Sequence, residues 1–492
     1  MEIKVKRVIN GAVIYMYSTI AIFIVGWLQP AYACVACIAM VIGIYMGIRC
    51  WKKDEECIRI SKKTLLIALL FITFMCWHTG IGAFTGQAGD WHKHNAVLHD
   101  LIEKQWPVIY YTSYGESMLS YYIGFYLLPS LMGKITGSFR MAELTMFVLT
   151  VVGIYLVWML MVALSKADKA QKQLLVLIIL FFYGGMLALG QAVCGSLYPE
   201  NFPYGSQEWM NPETVKIQYS SNWSLLKWVP GQTIVPWMAT AMLLLRKQKI
   251  ETYVMIGLPV VLYSGFAMVG LAVMMVALCV IEICCRRKEA IREMFSVSNL
   301  MLATVIGAIL LLYFWGNITG DKPDYLTFHL LDYGKKKIFY FLFAFFMFAY
   351  YAVLIFKENK KNAVYWITVI ALGIYPLFSM GAQNDFTMRA SIPALFTSMI
   401  LVIRYLFLDI KTDTTVKKTL LAAGLVVGML YPFLNLRESI VKNDIGEVYR
   451  LDSYLSLEQY ADPTLTEIPD DMKYNYYTYG MESDLFYQYL AK

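Results

Sequence analysis

Apolar runs alternate with short basic clusters along almost the whole chain. Runs long enough to cross a hydrocarbon core of about 30 Å recur from Tyr15 to Pro432. With Lys4, Lys6 and Arg7 placed in the cytoplasm, a first span falls at 9–28. A second, 31–48, returns to Arg49, Lys52, Lys53, Arg59, Lys62 and Lys63. The basic start runs straight into apolar sequence and no small-residue cleavage site follows, so the pattern predicts a retained span, not a removed signal peptide. A third span, 64–84, leads out again.

The stretch 86–117 breaks this rhythm: it is polar, aromatic and too long for a turn. Within it Val97, Leu98, Leu101 and Ile102 recur at helical spacing, with His94, Asn95, Asp100 and Glu103 on other faces. That predicts a helix resting on a surface or packed against the bundle. Residues 118–133 are apolar enough to cross. Crossing, however, would carry Lys166, Lys169 and Lys172 to the outside, against the charge rule. The preferred reading lays 118–133, with Pro129 and Gly133, along the outer membrane face and makes 139–164 span four.

Span five, 173–190, leads to an outer loop 191–228, and span six, 229–245, returns to Arg246, Lys247 and Lys249. Residues 252–284 are too long for one straight helix and contain Pro259 and Ser264–Gly265; they predict a hairpin returning to Arg286, Arg287, Lys288 and Arg292. Spans at 298–316, 338–356, 363–379, 391–408 and 418–433 complete an all-α polytopic bundle of about 11–13 transmembrane helices. Lys335, Lys336 and Lys337 would be external, and disobey the charge bias unless they meet an anionic ligand or lipid. The division is then a transmembrane domain over 1–433, with outer loops at 86–138, 191–228 and 317–337, and an external acidic, tyrosine-rich tail over 434–492. That tail reads equally as a cap on the outer face or as a solvated extension.

Composition agrees: of 492 residues 59% are hydrophobic and only 16% charged, against about 25% charged in an ordinary soluble domain. The net charge of +7 sits in clusters between spans, which argues for cytoplasmic loops and against nucleic acid. None of the nine Cys forms a paired CxxC framework. Cys34 and Cys37 share a helix face within a span and read as buried small apolar packing.

Three segments carry candidate chemistry. Four of the five histidines, His78, His92, His94 and His99, fall beside Asp90, Lys93, Asp100 and Glu103. Asp90 follows a span and the flexible run Gly86–Gly89, so it can reach over a cavity at the membrane surface and take a proton from an alcohol or amine. Asp90, Lys93 and His94 are the catalytic candidates, with His92 and Glu116 beside them for substrate. A solvated loop aspartate is the plain alternative. The His and Asp spacing matches no strong zinc signature; a loosely held Mg or Mn and a metal-independent mechanism both fit.

The second segment is 381–393, where Arg389 opens an apolar helix. Such an arginine either snorkels to a headgroup or meets an anion, and its planar guanidinium suits phosphate oxygens. Asn384 and Asp385 are placed to orient it or to cap the next helix. The third, 217–237, interleaves Gln218, Asn222 and Gln232 with Tyr219, Trp223, Trp228 and Trp237. Aromatic faces beside hydrogen-bonding groups suit a sugar or a headgroup; an aromatic interfacial belt has the same composition. All three segments fall on the same, external face.

This layout resembles the membrane glycosyltransferases of the GT-C superfold. On that resemblance Asp90 matches the acidic residue after the span that precedes the catalytic loop. Residues 118–133, with Tyr121, Tyr122, Gly124, Tyr126 and Pro129, resemble the juxtamembrane helix, and Arg140 the basic residue opening the next span. The chain departs in having an extra hairpin, spans one and two, before the loop, and it lacks a WWDYG-type motif. The resemblance implies a polyprenyl-phosphate sugar as donor. Arg389, Lys335, Lys336 and Arg140 would bind its phosphate, and a monosaccharide would pass to a glycan, lipid or protein acceptor with inversion. It implies a bacterial cytoplasmic membrane, with the N-terminus inside and the active site and C-terminus outside. The competing readings are a polysaccharide polymerase or ligase, a transporter or flippase of a lipid-linked or small polar substrate, and an assembly protein.

Overall fold

The structure, a computed structural model, describes residues 1–51, 55–87, 89–112, 115–197, 209–210, 216–319, 327–334, 337–381, 384–408, 412–441, 456–457, 476–479 and 484–492. Strand β1 (Glu2–Lys4) leads into α1 (Val5–Trp27) and, across a tight turn with Pro30 at the first helical position, α2 (Pro30–Arg49). Strand β2 (Cys57–Arg59) then pairs antiparallel with β1, Glu2 opposite Arg59. Helix α3 (Lys62–Trp77) starts on Ser61, whose hydroxyl accepts from the Thr64 amide.

Helix α4 (Trp91–Glu103) lies over this end of the bundle and is followed by the hairpin β3 (Ile109–Thr112) and β4 (Gly115–Leu119). Helix α5 (Gly124–Thr136) ends on Gly137 in the left-handed conformation. Both of its ends stay on one side: the Tyr121 amide before it donates to the Tyr313 hydroxyl at 3.3 Å, and Lys134 near its close donates to the Ile102 and Lys104 carbonyls at 2.8 and 2.6 Å. The segment expected to lie flat therefore does not run from one end of the bundle to the other. Helix α6 (Phe139–Ser165) does.

Helices α7 (Ala170–Phe182) and α8 (Leu187–Leu197) follow, then β5 (Trp209–Met210), β6 (Ile217–Gln218), α9 (Asn222–Trp228) and α10 (Ile234–Leu245). The hairpin expected over 252–284 is present as α11 (Tyr253–Tyr263) and α12 (Gly265–Arg286), broken at Ser264. Its return is closed by Arg286, which donates to the Gln248 carbonyl at 3.0 Å. After α13 (Lys288–Met294) come α14 (Val297–Met301) and α15 (Ala308–Thr319), joined by a π-helical stretch. Next are β7 (His329–Leu330), α16 (Lys337–Ala344), α17 (Tyr350–Asn359) and α18 (Ala363–Ile374). Strand β8 (Phe378–Ser379) pairs with β7, then α19 (Asp385–Ala390), α20 (Ile392–Leu406), α21 (Thr412–Val441) and β9 (Tyr477–Tyr479) complete the order. Among the described residues nine helices are long and apolar enough to cross a membrane. The chain is a polytopic helical membrane protein.

The bundle has a basic end and an opposite end. At the basic end Gln173 donates to the Arg59 carbonyl at 2.8 Å, the Arg246 guanidinium lies 5.9 Å from the Trp51 ring centre, and the Lys172 ammonium lies 5.4 Å from that of Phe407. Those contacts gather the starts of α3 and α7 and the ends of α2, α10 and α20. At the opposite end Asn317 donates to the Ser120 carbonyl at 2.6 Å and the Asn222 amide to the Tyr183 carbonyl at 2.9 Å.

Two expectations need correcting. Cys34 is exposed on α2 and Cys37 partly so, because the buried stripe of that helix is Ala33, Ala36 and Met40 one step round. Of the polar residues of α4, His94, Asn95 and Asp100 are buried against the bundle, while Glu103 is exposed. Helix α21 runs through Pro432 to Val441, past the expected end of the last span; a proline removes one N–H but need not end a helix whose neighbours hold it. The described parts of the tail are docked. Strand β9 adds to β4, with Leu119 opposite Tyr477, and Phe486 packs on Phe23 and Tyr313 at 6.2 and 5.5 Å between ring centres.

Candidate functional site

The site is built from the loop between α3 and α4. Gly80 and Gly82 take positive φ there, which glycine does without steric cost. Arg140 ties the loop to α6, donating from Nη1 to the Gly82 carbonyl at 2.6 Å and to Glu143 at 2.8 Å, with its guanidinium 4.7 Å from the Phe84 ring centre. Gln87 donates to the Gly80 carbonyl at 3.2 Å and accepts from Asn95 at 2.8 Å. The run expected to be flexible is therefore tied at Gln87, and Arg140 is engaged with the loop itself.

Asp90 stands at the start of α4 with no side-chain cap bond. Its side chain is 46% exposed, and Lys93 Nζ lies 3.8 Å away. One turn on, His94 is buried and both ring nitrogens are used: Nε2 donates to the Trp228 carbonyl at 3.1 Å and Nδ1 accepts from the Tyr126 hydroxyl at 2.5 Å. Burial holds the His94 imidazole below its ordinary pKa, opposed mainly by the Asp90 charge. A neutral ring bracketed in this way braces α4 against α5 and α9. His92 contacts the Gly89 carbonyl through Nδ1. Glu116 is exposed on the β3–β4 hairpin, opposite Tyr111.

In the second segment Asn384 takes the left-handed conformation and caps α19, accepting from the Thr387 amide while donating to the Lys216 and Phe378 carbonyls at 2.9 and 3.1 Å. That shapes the start of α19. Asp385 and Arg389 face each other across one turn, Oδ1 to Nη1 2.5 Å. The Arg389 side chain is 15% exposed, and among the described residues its buried Nε has no hydrogen-bond partner. Lys335 and Lys336 lie outside the described residues. In the third segment Gln218 donates to Ser220 at 2.6 Å and Asn222 to the Leu180 carbonyl at 2.8 Å. Gln232 alone of that group reaches the centre, donating to the Tyr121 hydroxyl at 3.3 Å and accepting from Ser264 at 3.4 Å.

Tyr121 is where the segments meet. Burial pushes its phenol up; Arg389 pulls it back, while Asp90 and Asp385 push it further. The acid of the first segment and the base of the second both bear on this one side chain, in an interior where charges are less screened than in water. Tyr476, from the tail, stacks on Tyr121 with ring centres 4.3 Å apart and planes at 28°. Burial raises the Tyr476 phenol as well, and Tyr121, Tyr126 and Asp90 add to the rise.

Sequence reasoning placed Tyr121 on the juxtamembrane segment and gave it no role at the site. It missed Tyr476, whose only signal was the density of tyrosine in the tail, and it missed the work done by Asp100. That carboxylate is fully buried. It accepts from Tyr110 at 3.0 Å and from the Leu457 amide at 2.9 Å, and sits 3.1 Å from His99 Nδ1. Among the described residues no group of three His, Cys, Asp or Glu is placed to hold a metal ion.

The arrangement pairs a half-exposed carboxylate with a largely buried guanidinium around a hydroxyl-rich aromatic centre, at the end of the bundle away from the basic clusters. No family model, no curated protein and no solved structure matches the chain. What sequence and structure establish together is a polytopic, largely helical membrane protein, consistent with a GT-C-like fold but not specific to it.

Proposed function

We propose that the protein transfers a monosaccharide from a polyprenyl-phosphate carrier to a cell-envelope acceptor, at the external end of a GT-C-like bundle of about 11–13 spans. The observation that carries this reading is the largely buried Arg389, held by Asp385 at 2.5 Å through Nη1 with a buried Nε that no described residue bonds, together with the half-exposed Asp90 carboxylate of the preceding loop. Direct displacement at an anomeric carbon needs a base for the nucleophile and a cation for the departing phosphate. The charge rule puts the basic end in the cytoplasm, and so the site outside.

In the proposed reaction the acceptor hydroxyl attacks the anomeric carbon and its proton passes to the Asp90 carboxylate. The bond from that carbon to the phosphate oxygen breaks, and its electron pair leaves with the lipid phosphate. Arg389 stabilises the charge gathering there. Asp385 holds the guanidinium by Nη1 and leaves Nε to the ligand. Attack opposite the leaving group gives inversion.

The test is transfer from radiolabelled undecaprenyl-phosphate sugars to a membrane-extracted acceptor pool, with wild type beside Asp90→Asn. Removing the base should cost about 10²–10⁴ in rate. Full activity in D90N would take Asp90 out of the mechanism. A well-folded wild type that transfers from no carrier would move the weight to a transporter.

A further inference from the structure

Helix α5 has 13 residues and rises about 20 Å, too little to cross a hydrocarbon core of about 30 Å. Its last turn is fixed at the end of the bundle away from the basic clusters, where Lys134 bonds the Ile102 and Lys104 carbonyls. Its first turn lies between α1 and α6, and under that turn is a crevice of about 260 Å³, counted to its open mouth. Phe125 and Leu128 of α5 form the roof, and Ser18 of α1, Leu149 of α6 and Tyr263 of α11 stand in the walls. The Tyr263 hydroxyl donates to Thr19 at 3.1 Å. Thr19 lies eight residues before the Trp27 end of α1, a depth of about 12 Å, so the crevice opens inside the bilayer.

The lining is suited to hydrocarbon despite its hydroxyls. Tyr15 donates to the Leu149 carbonyl at 3.2 Å, Ser18 to the Tyr15 carbonyl at 2.9 Å, and Thr19 to the Met16 carbonyl at 2.9 Å. With Tyr263 on Thr19, all four protons are used inside the protein, which removes the main cost of placing these groups beside an apolar ligand. The neighbouring outward residues, Ile14 on α1 and Val148 on α6, are apolar and exposed. Toward the candidate site the crevice is sealed at two points. A Cβ on Gly124 would lie 2.8 Å from the Tyr263 ring, and one on Gly265 would lie 2.9 Å from the Tyr122 hydroxyl. A lipid held by its phosphate at Arg389 therefore does not lead its chain into this crevice.

We propose that the crevice is a binding site for the end of one acyl chain of a bilayer phospholipid, entering laterally between α1 and α6. The chain fills the space that a half-length helix leaves beneath itself and supports the first turn of α5. This goes beyond the sugar-transfer reading and does not depend on it.

The experiment places full-length protein in phospholipid vesicles containing a phosphatidylethanolamine with a photoreactive diazirine near the end of one chain. Labelled residues are located by mass spectrometry after illumination. Labelling at Ser18, Leu128 and Leu149 should exceed several-fold that at Val35 and Val41, which are exposed on α2 and report ordinary lipid contact. Ser18→Phe, which fills the mouth, should lose the crevice labelling and keep that of α2. Crevice labelling no higher than that of α2 in wild type would overturn the proposal, whether or not the variant folds. So would labelling of the crevice by diazirine-bearing undecaprenyl phosphate in place of the phospholipid, which would make the carrier the occupant. Rapid reaction of Ser18→Cys with a water-soluble maleimide would show a water-filled crevice and overturn it as well.

Discussion

Gly270 of α12 and Ala390 of α19 touch backbone to backbone: a Cβ added to Gly270 would lie 2.0 Å from the Ala390 carbonyl oxygen. No rotamer relieves a clash with backbone, so Gly270→Ala must push the two helices apart. Ala390 follows Arg389 directly, and the displacement falls on the guanidinium. The variant should lose about 1–3 kcal/mol of stability through overpacking and, on the proposed function, most of its sugar transfer. Thermal midpoints and transfer rates on the same preparation check both, and a variant with wild-type values on both scales would show that the contact can open without consequence.

Arg389→Lys keeps a positive charge but loses both Nε and the planar fork. If Nε meets phosphate while Nη1 stays on Asp385, the lysine must choose between the two partners. Binding of undecaprenyl phosphate should fall about ten-fold or more, as expected where a lysine replaces a two-sided guanidinium. Undecaprenol, which lacks the phosphate, should bind wild type and variant alike. Equal loss with both lipids would instead mark Arg389 as a packing residue.

Asp100→Ala orphans the Tyr110 hydroxyl and the Leu457 amide together. Each buried group left without its partner costs about 1–3 kcal/mol. The variant should melt early and release its tail to limited proteolysis, whereas Asp100→Asn keeps an acceptor oxygen and should lie between it and wild type. A tail that stays protected in Asp100→Ala would show that the β9 pairing alone holds it.

His94 gives the protein a pH dependence of definite sign. Burial holds its folded pKa below the ordinary imidazole value of about 6.5, so the unfolded chain binds the proton more readily. Stability is then complete above about pH 6.5 and falls as the pH drops from there toward the folded value. Thermal midpoints between pH 8 and 5 should decline for wild type and decline less for His94→Gln, which cannot take up a proton. Parallel curves for the two would assign the acid sensitivity elsewhere.

Much of the architecture was legible because its signals are local. Charge bias alone kept 118–133 from crossing, and α5 does stay at one end of the bundle. Ser264–Gly265 marked the break between α11 and α12. The same reasoning singled out Asp90 and Arg389 as candidates, since a carboxylate after a span and an arginine opening one are conspicuous in apolar surroundings. It could not name partners that are remote in the chain. Arg140 is held by the Gly82 carbonyl and by Glu143, and Asn222 and Asn384 each donate to backbone carbonyls.

From the sequence alone came a polytopic helical bundle with its basic loops at one end, because hydropathy and lysine position are properties of short stretches. Only the tertiary structure decided which polar residues are used up inside the protein. It alone set Tyr476 against Tyr121, tail against juxtamembrane helix. The physical reason is that a buried hydrogen bond is a relation between groups distant in the chain, and nothing in either residue's local sequence names the other.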